Sequence, residues 1–483
     1  MKLDPMPYRK LIGLSLLAFA SCSDHNGRTP RESKVAELIA MTDLNPSPDI
    51  VEVALVAGVA ETSYLETGPA QVWAYRDGSK TDAKGSVPGP LIRAKQGDQV
   101  IVRFRNELLE STTVHWHGLR VPNAADGTPS TQVEVPPGGE YRYEFTARDA
   151  GTFWYHPHVR GDVQIERGLQ GMVIIDGGPT ITATAERSFV FDDVKLNGSG
   201  TLSDSTTPLD IMLGRLGNFL LANGTVGGTL PVISGARERW RIVNTANGRY
   251  LNLRLPGHQF RVIGWDGGLL STPYTTETLL IVPGERYEVL VELHGAVGGE
   301  LPLQTVYYDR GHDIPDVGPE TIMTLHFESE TVAQSGPVES LTVPPISLEA
   351  AATTVTRSLK LGERMINDGA DVLFTINDSA YPDIPVIGAI AGDIEVWSLQ
   401  NDSEMDHPFH VHGMFFRILD TNGVAPEHVG WKDTVNVPKK STLRFVVQYG
   451  EAGRWMYHCH ILEHAERGMM GELKLSAATA PVP

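Results

Sequence analysis

Four His-x-His pairs punctuate the chain: His115-Trp116-His117, His156-Pro157-His158, His410-Val411-His412 and His458-Cys459-His460. Residues two apart on an extended strand point to one face. Each pair therefore aims two imidazoles the same way. Imidazole is a ligand for copper, zinc, iron and nickel. Eight such ligands are too many for one ion. They suffice for about three, with open positions for a bound small molecule. A single pair would fit chance or an isolated zinc site, but four at matched places fit neither.

Cys459 lies between His458 and His460, so it faces away from their imidazoles. His407 has odd spacing from His410 and His412 and can face away too. His464 follows Cys459 by five residues, and Met469 follows His464 by five. Two histidines, a thiolate and an axial Met form the blue-copper arrangement, an electron-transfer site. An electron reaching the sulfur has only a short covalent path to His458 and His460.

The elements that position these residues repeat. GDQVIVRFRN (97–106), GARERWRIVN (235–244) and GDIEVWSLQN (392–401) share length, opening Gly and closing Asn. Val100, Val102 and Phe104 alternate with Ile101, Arg103 and Arg105, the period of a half-buried strand. Nine and eleven residues after the closing Asn stand His115 and His117 in the first repeat, and His410 and His412 in the third. The second has Leu253 and Leu255 there. A second block opens at Gly151, Gly299 and Gly453. Five and seven residues on, it carries His156 and His158, then Gln304 and Val306, then His458 and His460. The reading is all-β, with three homologous Greek-key sandwiches of about 130–150 residues. Their spans are 49–180, 181–335 and 336–480, and the middle one carries no ligands. If the outer two pack face to face, the eight imidazoles close into a cage.

Composition agrees. The chain has 483 residues, room for about three domains. A formal net charge of −19 argues against nucleic-acid binding, which needs a basic face. The only cysteines are Cys22 and Cys459, so a disulfide scaffold is excluded. The remaining histidines, His25, His258, His294, His312, His326 and His428, read as surface or core residues. At the N-terminus, Lys2, Arg9 and Lys10 precede an apolar run, Leu11 to Ala20, too short to span a bilayer. It suits an export signal over 1–22. Phe19-Ala20-Ser21-Cys22 resembles a bacterial lipobox, which would lipidate Cys22 and tether the chain to a membrane. Residues 23–48 are polar, with Pro30, Pro46 and Pro48, and read as a flexible tether. The expected location is the periplasm or cell envelope.

His115-Trp116-His117-Gly118, His156-Pro157-His158, His407-Pro408-Phe409-His410-Val411-His412-Gly413 and the run from His458 to Met469 resemble the multicopper oxidase family, most of all bacterial three-domain laccase-type enzymes. The resemblance spans about residues 50–477. Two-domain copper nitrite reductases are similar in sandwich and blue-copper site but lack the four paired motifs. The resemblance implies three cupredoxin-like domains and four copper ions per chain. It assigns His407, Cys459, His464 and Met469 to type 1 copper, and His115 and His410 to type 2. It assigns His117, His156, His158, His412, His458 and His460 to the type 3 pair. Electrons from a small reducing substrate would enter at Cys459 and reduce dioxygen to water at the cluster of a monomeric enzyme. Asp126 matches a family acid near the cluster, and a proton-relay role is expected of it, although Asp126-Gly127 also reads as a polar loop. Many bacterial relatives carry an acid directly after the histidine equivalent to His464. Here that residue is Ala465, so proton delivery is expected to differ.

The reductant stays open. No Met-rich segment, the mark of a Cu(I) oxidase, precedes the third domain, and residues 329–356 are rich in Ser, Thr, Val and Pro. Phenols and aromatic amines are the favoured substrates. Oxidation of Cu(I), Fe(II) or Mn(II) for metal protection in the envelope is the alternative. A copper-storage protein with little turnover is a third, non-enzymatic reading.

Overall fold

The period-2 pattern at 97–106 becomes the strand Gln99–Asn106, which buries Val100, Val102 and Phe104 and exposes Arg103 and Arg105. Ile101 is buried as well, because this strand is central. It runs parallel to Ile50–Leu65 and antiparallel to Glu140–Thr146. The structure, a computed structural model, describes residues 33–331, 355–369 and 371–478. The expected export signal, Cys22 and His25 lie outside the described residues.

The described residues form six sheets, two for each copy of one topology. Arg237–Asn244 sits beside parallel Ala185–Val194 and antiparallel Arg286–Glu292. Ile394–Asn401 sits beside parallel Val355–Ile366 and antiparallel Ser441–Gln448. Across each sandwich lies the sheet that carries the second repeat block: Gly151–His156, Glu300–Thr305 and Gly453–Cys459. Each pair of sheets closes over its own apolar core.

The closing Asn of the first block has a physical cause. Asn106 is buried, and its Nδ2 donates to the carbonyls of Glu110 and Val135 at 2.8 and 2.9 Å. Asn244 does the same to Arg249 and Ile281, and Asn401 to Met405 and Val437. The amide clamps the chain as it leaves the strand and satisfies buried carbonyls, which a carboxylate could not do. This clamp fixes where the next segment enters the facing sheet.

Residues 33–48 depart from the flexible tether expected over 23–48. They strap the first two domains together. Lys34 bridges Thr229 and Ala40 bridges Leu91, both in parallel pairing. Val35 is buried in the middle-domain core, and Leu38 packs on a cluster shared by the first two domains. Open strand edges offered backbone partners that composition does not reveal.

Candidate metal centre

His115–His117 pairs antiparallel with Gly151–His156, and His115 stands opposite His156. In the third domain, His407–Val411 pairs with Gly453–Cys459, and His410 stands opposite His458. The two sheets bring all eight paired imidazoles into one buried cage. His156 Nε2 lies 3.5 Å from His117 Nδ1, His158 Nε2 lies 3.4 Å from His458 Nε2, and His412 Nε2 lies 3.1 Å from His458 Nε2. The rings of His115 and His412 stack across the two domains at 3.9 Å, and those of His117 and His410 at 3.8 Å. His460 completes the cage 4.9 Å from His117.

Hydrogen bonds fix which nitrogen faces inward. The Nδ1 atoms of His115, His156, His410 and His458 each donate to a backbone carbonyl at 2.7 to 2.9 Å. Their Nε2 atoms are left as acceptors. His412 Nδ1 donates to the Asp126 carboxylate at 3.1 Å, and His115 Nδ1 lies 3.4 Å from it. Burial pushes the Asp126 carboxyl up, but its contacts with His412 and His115, among them the hydrogen bond that His412 donates, more than reverse this and hold it well below its usual range. Asp126 is therefore an ionised acceptor that orients His412. His117 is reversed: its Nε2 meets Thr434 Oγ1 at 3.1 Å and the Asp433 carboxylate at 3.3 Å, so Nδ1 faces the cage.

Cys459 points the other way, as its place between two cage ligands requires. Its Sγ lies 3.5 Å from His407 Nδ1 and 3.8 Å from His464 Nδ1. Met469 is fully buried and tied to both neighbours: Cys459 N–H donates to the Met469 carbonyl, and Met469 N–H to the His464 carbonyl. The outward nitrogens are held too. Ser403 Oγ meets His407 Nε2 at 2.8 Å, and His464 Nε2 donates to the Met212 carbonyl at 3.2 Å. Phe374 stacks on His464 at 3.6 Å. Burial pushes the Cys459 thiol far up, so only a bound cation would keep it as thiolate.

The middle domain supplies no ligand but braces the cage. Gly284, at φ +89°, presses so closely that a Cβ there would lie 2.9 Å from His460 and 3.1 Å from His117. Two residues on, Arg286 is fully buried and donates from Nη1 to Asp433 at 2.6 Å, from Nε to the Thr152 carbonyl of the first domain, and from its backbone N–H to Asp266 at 2.9 Å. Asp433 Oδ1 in turn holds His117, and the Asp433 carbonyl holds His410. Lys432 pairs with Asp266 and Glu285 at 3.0 Å. Sequence reading missed Arg286, Asp433, Ser403 and Met212, which lie outside any repeated motif.

Ala465 is buried beside His464. Burial pushes the flanking Glu463 and Glu466 up to about 7. Glu463 accepts from Asn247 Nδ2, and Glu466 from the Gly161 N–H. His258 and His294 stack on each other, His312 pairs with Glu363 and His428 stacks on Tyr274, all away from the cage.

The donor chemistry fits copper. His115 Nε2, His410 Nε2 and both nitrogens of His460 are buried with no hydrogen-bond partner among the described residues. Burial lowers His156, His158, His412 and His460 well below the ordinary imidazole value, so these rings are neutral and ready to ligate. Buried lone pairs left this way are costly unless a metal takes them. The second group adds a soft sulfur to two imidazoles, which suits copper.

Multicopper oxidase domain models match residues 69–180, 181–299 and 353–478. The chain is 30% identical to a multicopper oxidase of Mycobacterium tuberculosis, over 80% of this chain and 81% of that protein. It is 27% identical to a laccase of Bacillus subtilis, over 84% and 91% of the two chains. A solved multicopper oxidase of Campylobacter jejuni, described as a metallo-oxidase, superposes with a TM-score of 0.81 at 29% identity, covering 93% of this chain and 96% of that one. With three cupredoxin-like sandwiches and two histidine-rich centres, the chain belongs to the multicopper oxidase family and is a copper oxidoreductase that uses oxygen.

Proposed function

We propose that the protein is a laccase-like oxidase. It takes electrons singly from phenols or aromatic amines near His464 and reduces dioxygen to water in the imidazole cage. Four copper ions would supply the electron acceptor, at His407, Cys459, His464 and Met469, and the oxygen-reducing centre, with His115 and His410 at one ion and His117, His156, His158, His412, His458 and His460 at a pair. The observation that carries the choice of reductant is a cavity of about 390 Å³ lined by Tyr250, Tyr307 and Tyr308. Its wall at Leu213 and Gly214 adjoins Met212, whose carbonyl accepts from His464. Aromatic walls suit an aromatic reductant. Both halves of the cage come from one chain, which supports a monomeric enzyme.

The alternative, oxidation of Cu(I), Fe(II) or Mn(II), is favoured by the likeness to the C. jejuni metallo-oxidase. Purified holoprotein should be blue, carry four coppers per chain and consume dioxygen. Its kcat/KM for an electron-rich phenol should exceed that for Cu(I) and Fe(II). A large preference for a metal ion would replace the laccase reading with the alternative. Colourless, inactive protein after copper loading would favour copper storage.

Asp126 is proposed both to orient His412 and to pass protons toward the cage. Asp126→Asn should lower kcat by about 10- to 100-fold, the usual range for a group that holds a metal ligand. The loss should deepen as pH rises and protons become scarce. Unchanged dioxygen consumption across pH would remove Asp126 from proton delivery.

A further inference from the structure

The cavity in the middle domain is lined by one base, Arg310, that forms no salt bridge among the described residues. Its lining includes Lys195, Arg249 and Arg310 against Asp210 and Glu320. Lys195 is paired with Asp210 at 2.7 Å. Arg249 is paired with Glu320 at 3.1 Å and with Asp193 at 2.6 Å. Arg310 has no such partner. Its Nη1 donates to the Gly248 carbonyl at 2.7 Å, and its guanidinium lies 5.2 Å from the centre of the Tyr250 ring. Its Nη2 is buried with no hydrogen-bond partner among the described residues, and the residue is 4% exposed. The nearby acids are engaged elsewhere: Asp193 pairs with Arg249, and the Asp406 carboxylate accepts from Tyr308 Oη, Asn436 Nδ2 and the Lys439 N–H. Tyr250 and Tyr308 stand parallel, 5.9 Å apart.

A buried guanidinium N–H left unpaired is costly, and a carboxylate is the acceptor whose geometry suits it. We propose that this cavity selects phenols that carry a carboxylate, which accepts from the Arg310 guanidinium while the ring packs against Tyr250 and Tyr308. The inference rests on the oxidase reading above. Burial lowers Arg310 to about 10, which leaves it charged at neutral pH. Each bound phenol gives one electron to the Cys459 site through the Met212–His464 contact and its hydroxyl proton to solvent. Four phenols and one dioxygen yield four phenoxyl radicals and two waters.

The test compares 3-(4-hydroxy-3-methoxyphenyl)propanoate with its methyl ester on the holoenzyme. A saturated linker separates the ring from the charge, so the two rings are equally easy to oxidise. The acid should be preferred in kcat/KM by about tenfold or more, mainly through KM, as a charge-assisted hydrogen bond would give. Arg310→Met should bring the acid-to-ester ratio to near one, and Arg310→Lys should keep part of it. Val317, at the cavity lining, is 58% exposed, so Val317→Trp can fold normally while narrowing the site. Calorimetric binding of 3-phenylpropanoate, which lacks the oxidisable hydroxyl, should weaken at least tenfold in that variant. A wild-type ratio near one, a ratio unchanged by Arg310→Met, or unchanged binding in Val317→Trp overturns the inference and leaves the oxidase reading standing. Failure to oxidise either phenol, with fast turnover of Cu(I) or Fe(II), overturns both.

Discussion

Cys459→Ser is expected to bleach the protein and to lower turnover by roughly a thousandfold or more with every reductant, about 4 kcal/mol on the barrier. Serine keeps the shape of the buried site but cannot offer a soft, polarisable thiolate. Cys459 sits in the strand Gly453–Cys459, which pairs with His407–Val411 on one side and Met470–Ser476 on the other. The backbone therefore has no reason to move. The cage imidazoles at 458 and 460 should keep their copper, so the content should fall by one ion per chain. Copper analysis and the visible spectrum, read beside dioxygen consumption, check this. Turnover retained in a colourless variant would mean that electrons reach the cage by another route.

Arg286→Met should have the second-largest effect, although Arg286 touches no proposed copper ligand directly. Burial pushes Asp433 up, and Arg286 overrides this to hold it well below the usual carboxylate range. Removing Arg286 leaves the buried Asp433 carboxylate without its cation, so it must carry an unpaired charge or take up a proton. Breaking a buried pair in this way costs about 3–5 kcal/mol. The loss should appear as a lower denaturant midpoint. Copper affinity of the cage should also fall by about 10- to 100-fold, because His117 and His410 lose the group that orients them. The blue colour should persist, since the side chains of Cys459, His407, His464 and Met469 share no hydrogen bond or ion pair with Arg286, Asp433 or Asp266 among the described residues. A variant of ordinary stability with full cage occupancy would show that the pair is dispensable.

The contrast between these two residues shows what a single sequence discloses. Cys459 is legible because local spacing carries its meaning: a strand of period two puts sulfur and imidazoles on opposite faces. The repeats extended that logic to domain number, since Asn106, Asn244 and Asn401 each perform one local task. Arg286 and Asp433 are silent because their importance arises between domains, and Arg310 because its cavity forms only when distant segments of the middle domain fold together. Gly284 to Arg286 lies in a domain whose ligand positions hold Leu253 and Leu255, so spacing gives no reason to look there. Thr207 and Asp210 do form a capping box that marks the helix Pro208–Leu213, but nothing local says that its last turn would sit on His464. The strap over 33–48 was missed for the same reason. Its partners, Leu91 and Thr229, are edge positions that exist only once both domains have folded.

The sharing of one strand by Cys459 and its two histidine neighbours also sets an order of failure. The separation of sulfur from His458 and His460 is fixed by covalent bonds and sheet register. Docking between the first and third domains does not enter it. The cage, by contrast, closes only while those domains stay docked, because His115, His117, His156 and His158 arrive from the far side. As the protein ages or warms, domains part before a central strand dissolves. The colour of an ageing sample would therefore be a poor gauge of its remaining power to consume oxygen.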